Sequence, residues 1–172
     1  KNILNFYKED DKINIENYIK KKKYNKNITL KCFRPEIDIM YSNHEDIDFL
    51  IVGGAVFMNL YLDHALKMNL INEEKDLHEK KVIVSYILPN TEFNIINNIE
   101  KGTIINEIND KKVTNLDDVR KIIKNPYKVG KINILKIKNN NEKIVILNIE
   151  NVKKTNKILS KLYQFNSKNI IH

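Results

Sequence analysis

The stretch "IVGGAVFMNL", residues 51–60, places two adjacent glycines between two short, apolar, strand-like runs. Half of the 4 glycines in the chain stand at this one position. A glycine backbone can expose its N–H groups, which suits a phosphate cradle, a catalytic oxyanion site or a clamp for a peptide end. A plain turn or bulge inside a β-sheet is the structural alternative.

The residues after the glycine pair disfavour nucleotide binding. A P-loop needs a Lys-Ser/Thr pair that opens a helix, and the dinucleotide fingerprint needs three spaced glycines before a helix. Here the segment "AVFMNL" (55–60) continues as a strand. N–H groups that lead into a strand edge suit a carboxylate, because the loop binds the charged end and the edge pairs with the peptide backbone. The pattern therefore predicts peptide recognition by strand addition, with a plain turn as the open alternative.

Length and composition fit one ordinary domain, or a small domain with additional segments. The 172 residues are 42% hydrophobic and 8% aromatic, which is enough to form a core and excludes a disordered chain. No apolar run reaches membrane-spanning length and nothing near the start resembles a signal peptide, so we expect a soluble chain whose compartment stays unknown. The lone Cys32 cannot form an internal disulfide and is expected to be structural.

The basic balance leaves a nucleic-acid partner as an alternative. The net charge is +8, and the densest basic run is Lys20–Lys23, flanked by Tyr18 and Tyr24. Lysine and aromatic side chains together are typical of nucleic-acid surfaces. The competing interpretation is a solvated hairpin tip in a lysine-rich chain, and this second interpretation is favoured.

Hydrophobic periodicity predicts a mostly β chain with a few helices. Strands are expected at 49–52, 55–60, 81–88 and, around an Asn109-Asp110 turn, within 103–113. A short helix is expected at 61–71. The clearest helix is 114–124, with Asn115 as its N-cap and an apolar face, and a C-terminal helix is expected at 151–165. The apolar face of the last helix is predicted to consist of Val152, Thr155, Ile158, Leu159 and Leu162.

An internal echo suggests two related modules. Residues 12–31 and 131–148 both begin with "KINI", alternate apolar and polar residues, and pass through a Lys/Asn turn, which predicts two β-hairpins. Chance similarity in a low-complexity background is the alternative. The predicted domains are 1–31 as the end of a first module, 32–48 as a linker, 49–150 as a second module, and 151–172 as a C-terminal helix and tail.

Catalytic and metal chemistry are not predicted for this chain. The four histidines, His44, His64, His78 and His172, stand in no recognisable nucleophile frame, so no catalytic residue is assigned. A metal site from His64, Glu73, Glu74 and His78 would match no known ligand spacing. No metal and no cofactor are therefore expected.

The order of several segments resembles a PDZ domain of the Deg/HtrA-type serine proteases. The segments are "VGGAVFMNL" (52–60), "VIVSYILPNT" (82–91) and "IEKGTIINEINDKKVTNLDDVRKII" (99–123). They are similar to the family's carboxylate loop, its strand ending in a "VLP" turn, its paired strands around a turn, and its "xLxDLxxxI" helix. The resemblance covers roughly residues 26–165 and is greatest to DegP-like proteases with two tandem PDZ domains.

This resemblance implies a fold, a function and a site. The implied fold is α+β and mostly β, a partly open barrel or sandwich capped by helices, with an added C-terminal helix. Residues 1–31 would be the last strands of a first PDZ domain, and a trypsin-like protease domain would lie upstream. The implied peptide-binding or carboxylate-binding residues are Gly53, Gly54, Ala55, Val56 and Phe57. The implied groove residues are Met58, Leu60, Leu116, Val119, Arg120 and Ile123, with Phe57, Val119 and Ile123 around a terminal apolar side chain.

The chain departs from the family pattern at a few positions. Val56 stands where many PDZ loops have a second glycine, Thr103 replaces an aspartate, and Asp110 replaces a turn glycine. A β-branched residue at Val56 tilts N–H groups away from a ligand, which favours packing against a neighbouring subunit.

The expected function is therefore the non-catalytic, regulatory PDZ segment of a DegP-like serine endopeptidase in protein quality control. Its expected partners are extended or C-terminal peptides, its own protease domain, and further copies in a homo-oligomer, a trimer or hexamer by resemblance. No membrane partner is expected and nucleic acid is disfavoured. The alternative is a basic nucleic-acid-binding β module that uses Lys20–Lys23.

Overall fold

Strands dominate the secondary structure. The computed structural model describes residues 8, 10–19, 21–30, 37–40, 46–71, 76 and 78–171. Strands account for 37% and helices for 26% of the described residues, and the fold consists of a curled half-barrel sheet with a C-terminal helix. This composition confirms the predicted α+β, mostly β class and is consistent with a PDZ-like fold.

The chain divides into two compact units, which lie within Lys1–Pro35 and Glu36–His172. The division falls inside the predicted linker 32–48, most of which lies outside the described residues. Ile37 belongs to the second unit, where it is buried beside Met58 and Ala65. The predicted domain boundaries stay a prediction.

The first unit contains an antiparallel hairpin of β1 (Lys12–Ile19) and β2 (Lys22–Thr29). The second unit contains the matching hairpin of β9 (Ile132–Asn139) and β10 (Ile144–Asn148). Both predicted hairpins are thus confirmed.

The echo between the two hairpins does not extend to the core positions. When the two "KINI" segments are aligned by sequence, Glu16 and Tyr18 correspond to Leu135 and Ile137, which are fully buried in β9. The shared isoleucines instead fall on the outward phase of β9, where Ile132 is 52% exposed. The repeated-module interpretation therefore stays a prediction.

The second unit is built on one eight-stranded antiparallel sheet. Its strand order is β10-β9-β6-β5-β4-β3, with β7 paired to β6 and β8 paired to β9. The remaining strands are β3 (Leu50–Val52), β4 (Ala55–Asn59), β5 (Val82–Ile87), β6 (Ile104–Ile108), β7 (Lys111–Lys112) and β8 (Tyr127–Val129). The predicted turn at Asn109-Asp110 is confirmed, with positive φ at both residues.

Among the described residues, four α-helices cover the sheet: α1 (Leu62–Lys67), α2 (Glu92–Ile96), α3 (Leu116–Ile123) and α4 (Ile149–Tyr163). Helix α3 matches its prediction, since the Asn115 side chain accepts the Asp118 N–H at 2.9 Å and Val119 is fully buried. Helix α2 and strand β8 were not predicted. Thr91 is the N-cap residue of α2 and its side chain accepts the Asn94 N–H, while Phe93 of the helix packs in the core against Phe57.

The predicted apolar face of the C-terminal helix is wrong at two positions. Ile158 and Leu162 are 66% and 68% exposed. The buried residues of α4 are instead Ile149, Val152, Asn156 and Leu159. Asn156 lies on the inner face of α4 although it is polar. Because the periodicity argument used only apolar residues, it predicted a face at the wrong angle around the helix.

Candidate functional site

The glycine pair forms a tight, two-residue turn between β3 and β4. Gly53 and Gly54 have φ of 58° and 96°, and Val52 pairs with Ala55 across the turn. Positive φ at both central residues is the geometry preferred in two-residue hairpins. The turn is buried, and its carbonyls are occupied: Phe93 N donates to Gly53 O at 3.1 Å and Leu88 N donates to Gly54 O at 2.8 Å. The predicted carboxylate loop is therefore packed into the fold.

Strand β3 lies along the edge of β4 that was predicted to receive a peptide. The pairing is antiparallel, with Leu50 opposite Phe57 and Ile51 opposite Val56. Strand β3 runs toward the glycine turn and ends there. The edge of β4 is thus hydrogen-bonded to a neighbouring strand of the same chain.

The side chains of β3 alternate between two apolar clusters. Leu50 and Val52 belong to the main core, which also contains Val119 and Ile123 of α3. Ile51 points to the opposite side, into a small cluster with Leu159 of α4. A peptide strand added to a sheet edge alternates in the same way and places every second side chain in a pocket.

Helix α4 and the C-terminal segment cover the outer edge of β3. In the β3–β4 ladder, Leu50 and Val52 hydrogen-bond to β4, so the N–H and C=O of Ile51 face outward. The side-chain amide of Asn156 donates to Ile51 O at 2.9 Å, and Ile170 forms a parallel bridge with Ile51. Asn156 is fully buried, so this hydrogen bond lies away from water.

Helix α3 is fastened to both β4 and the segment before β3. The N–H of Leu116, at the start of α3, donates to the Asn59 side chain at 2.9 Å. Arg120 donates to both carboxylate oxygens of Asp48, with Nη1 at 3.0 Å from Oδ2, and also to Asp117. The Asp48 carboxylate raises the pKa of Arg120, so the guanidinium stays charged.

The structure separates the predicted groove residues into two groups. Phe57, Val119 and Ile123 share the main core with Leu116, whereas Met58 and Leu60 lie on the other face of β4 in a cluster with Ala65. Alternation along a strand causes this division. Peptide binding by these residues stays a prediction.

Residues outside the predicted set complete the arrangement: Asp48, Leu50, Val52, Asn156 and Ile170. A glycine pair between two apolar runs is itself a hairpin signal, so β3 could have been assigned as the partner of β4. The sequence contains no signal that would indicate which carbonyl a polar residue such as Asn156 binds.

The alternative basic patch lies at the turn of the first hairpin. Lys23 sits opposite Tyr18 and forms an ion pair with Glu16 at 2.7 Å. Lys20 lies outside the described residues. Nucleic-acid binding at this turn stays an untested alternative.

In the described part of the chain, no helix is long and apolar enough to cross a membrane. The same residues include no group of three or more histidine, cysteine, aspartate and glutamate side chains placed to hold a metal ion.

Comparison with known proteins gives one distant similarity. No family model matches the chain. The chain is 28% identical over 155 residues to "Putative protease Do-like 12, mitochondrial" of Arabidopsis thaliana, and the matched region covers 88% of the chain. The same region spans 28% of the length of that relative. The similarity supports a DegP/HtrA-related origin.

Proposed function

We propose that this chain is the non-catalytic, PDZ-type regulatory segment of a Do-like serine protease that acts in protein quality control. Its role is to control peptide access to a strand edge and to contribute to assembly. The distant similarity to a Do-like protease supports the family. The single observation that carries the mechanism is the antiparallel position of β3 on the edge of β4.

Strand β3 has the attributes of a built-in peptide ligand. A PDZ-type domain binds a peptide through main-chain hydrogen bonds to a strand edge and through pockets for alternate side chains. Leu50 and Val52 fill the inward positions, and Val52 ends at the glycine turn, where the carboxylate of a free peptide would lie. In β3 the peptide bond to Gly53 takes the place of that carboxylate.

A tethered strand is a strong competitor for free peptide. A short connection gives an effective concentration in the millimolar range or above, so a free peptide of similar intrinsic affinity is largely excluded. The resting segment is therefore closed, and peptide binding requires β3 to leave β4. This favours regulation and assembly over constitutive peptide capture.

A test is to weaken β3 in the whole chain and measure binding of its own sequence. Leu50→Asp introduces a carboxylate into the core position that seats β3. The probe is a fluorescent peptide ending in Asp48-Phe49-Leu50-Ile51-Val52 with a free carboxylate. We expect its anisotropy titration to show at least about tenfold tighter binding to the variant than to the native chain.

Leu66→Asp is the matched control, because Leu66 is 61% exposed on α1 and belongs to neither of the apolar clusters that contain β3 side chains. It should bind the peptide as weakly as the native chain. Circular dichroism verifies that both variants keep the native strand content. Equal, weak binding by a folded Leu50→Asp chain would remove peptide control at β4 from the proposal. Asp48→Ala, which removes the ion pair with Arg120 without altering the core, provides a milder second variant.

Assembly is tested separately. The proposal includes contact with a protease domain and a homo-oligomer, a trimer or hexamer by resemblance. Sedimentation velocity of the 172-residue chain over a wide concentration range should show reversible association. A monomer at every concentration would contradict an assembly role for this segment.

A further inference from the structure

A cavity of about 620 Å³ lies in the second unit between α3 and the beginning of α4. Leu50, Ile170 and Asn133 of β9 are among the residues that line it. This volume falls within the range of about 300–1,000 Å³ that is typical of small-molecule sites.

The inner surface of the cavity is aliphatic. Its apolar lining residues come from both helices, from the residues after α3, and from the C-terminal segment. Leu50 and Ile149 are almost completely buried in the main core, with 3% and 4% exposure, so only a small part of each side chain faces the cavity. The apolar lining consists of Leu50, Ile123, Pro126, Ile149, Ile170 and Ile171. A ligand that fits this surface has an aliphatic body.

The charged lining of the cavity is predominantly positive. Arg120, Lys124, Lys153 and Lys168 face a single acid, Glu150. Arg120 is already held by Asp48, and Lys168 lies 3.9 Å from Asp46.

The two remaining cations come from different helices. Lys124 is the C-cap residue of α3 and Lys153 belongs to the second turn of α4. Neither forms an ion pair with another described residue, so both ammonium groups are available to an anion. One negative group on an otherwise apolar ligand would complement this pair.

The pairing of β3 favours an acyl chain over a peptide. Leu50 of β3 lines the cavity, and the outward C=O of the next residue, Ile51, is bonded to Asn156 while Ile170 bridges the same residue. A peptide laid in the cavity would bury amide groups without partners, which costs free energy for each group. An aliphatic chain carries no such groups.

We propose that this cavity binds a medium-chain aliphatic carboxylate, with its chain on Leu50, Ile123 and Ile149 and its carboxylate between Lys124 and Lys153. Its ligand is a small molecule, and Leu50 belongs both to the cavity and to strand β3.

The test is a titration of decanoate into the whole 172-residue chain carrying 13C-labelled isoleucine methyl groups. We expect saturable shifts of the Ile123, Ile149 and Ile171 methyl signals. Ile95, which is 76% exposed on α2 and does not line the cavity, should not shift. Decan-1-ol should bind about tenfold more weakly, because it lacks the charge that the two lysines recognise.

A matched pair of double variants tests the charge. Lys124→Ala with Lys153→Ala should raise the decanoate Kd about tenfold. Lys121→Ala with Lys157→Ala removes the same charge from the same two helices at exposed positions outside the cavity, and should leave the Kd nearly unchanged.

Three results would overturn the proposal. The first is a lack of saturable shifts at the cavity methyl groups. The second is an equal Kd for decanoate and decan-1-ol, or equal effects of the two double variants. The third is a short peptide with a C-terminal leucine that shifts the same methyl groups at the same Kd as decanoate.

Discussion

At the scale of single residues, Gly54 is the position where the fold depends most directly on the absence of a side chain. Its φ is 96°, and a Cβ placed there would overlap the side chain of Thr91. Gly54→Ala should lower the free energy of unfolding by about 3 kcal/mol, because backbone strain and overpacking add. Urea denaturation measures this change.

Gly130→Ala is the control for backbone strain alone. Gly130 has a φ of 61° with nothing within 4 Å of its added Cβ. Its substitution should cost about 1 kcal/mol. Similar losses of unfolding free energy in the two variants would show that overlap with the Thr91 side chain adds no cost at position 54.

Asn156 is the second residue with a specific, measurable role. Asn156→Ala removes the hydrogen bond to Ile51 O and leaves that buried carbonyl without its donor. The expected loss of unfolding free energy is about 2 kcal/mol. Asn98→Ala removes a similar bond to Ile144 O at 2.8 Å on the exposed surface, and should cost less than about 1 kcal/mol because water replaces the donor. Equal losses of unfolding free energy in the two variants, measured by thermal or urea unfolding, would argue against a buried hydrogen bond at the outer edge of β3.

At the scale of elements, helix α1 predicts a pH dependence through His64. The Tyr61 N–H donates to Nδ1 of His64 at 3.5 Å, which requires the neutral ring. Burial lowers the pKa of His64 below its ordinary value of 6.5, opposed by the backbone at Asn59 and by Asp63. The unfolded chain therefore takes up this proton at higher pH than the folded chain does. Stability from the neutral ring is complete above the unfolded pKa and is lost as the pH falls toward the folded one.

His64→Gln isolates this contribution, because glutamine at the third helical position keeps an acceptor for the Tyr61 N–H and does not titrate. We expect the native chain to lose more unfolding free energy than the variant between about pH 7 and about pH 5. Urea denaturation at several pH values measures the difference. Parallel pH profiles would contradict the prediction.

The elements also show which parts of the fold follow from local patterns. Helix α3 was predicted accurately because Asn115, the acidic first turn and one apolar face all agree. The face of α4 was mispredicted because Asn156 replaces an apolar residue where a hydrogen bond to β3 is needed. Helix α2 escaped detection because its single buried residue, Phe93, gives no repeating pattern.

At the scale of the whole molecule, the two units should differ in hydrogen exchange. The β1–β2 hairpin is exposed along nearly its whole length, and an isolated two-stranded sheet is marginally stable in water. The amides of Ile13 and Ile28 should exchange near unprotected rates, whereas Val84 and Ile105 in the main sheet should exchange only on global unfolding. Mass spectrometry of exchanged peptides measures both. Protection of β1 equal to that of β5 would contradict this expectation.

The candidate site shows the limit of prediction from sequence at this scale. The glycine pair and the strand after it predicted an interaction edge, and in the structure β3 pairs with that edge. A tethered neighbouring strand and an external peptide compete for that edge. The alternation of apolar and polar residues does not predict which of the two pairs with it. The covering of Ile51 depends on Asn156, which lies 105 residues further along the chain.

This separation along the chain has a consequence for biosynthesis. The β3–β4 hairpin can close as soon as it emerges from the ribosome, but Asn156 follows Ile51 by 105 residues. At about 5–20 residues per second, the outward edge of β3 waits roughly 5 to 20 seconds for its cover. During that interval the nascent chain presents an open strand edge, so ribosome-bound intermediates that end before α4 should be the species on which chaperones act.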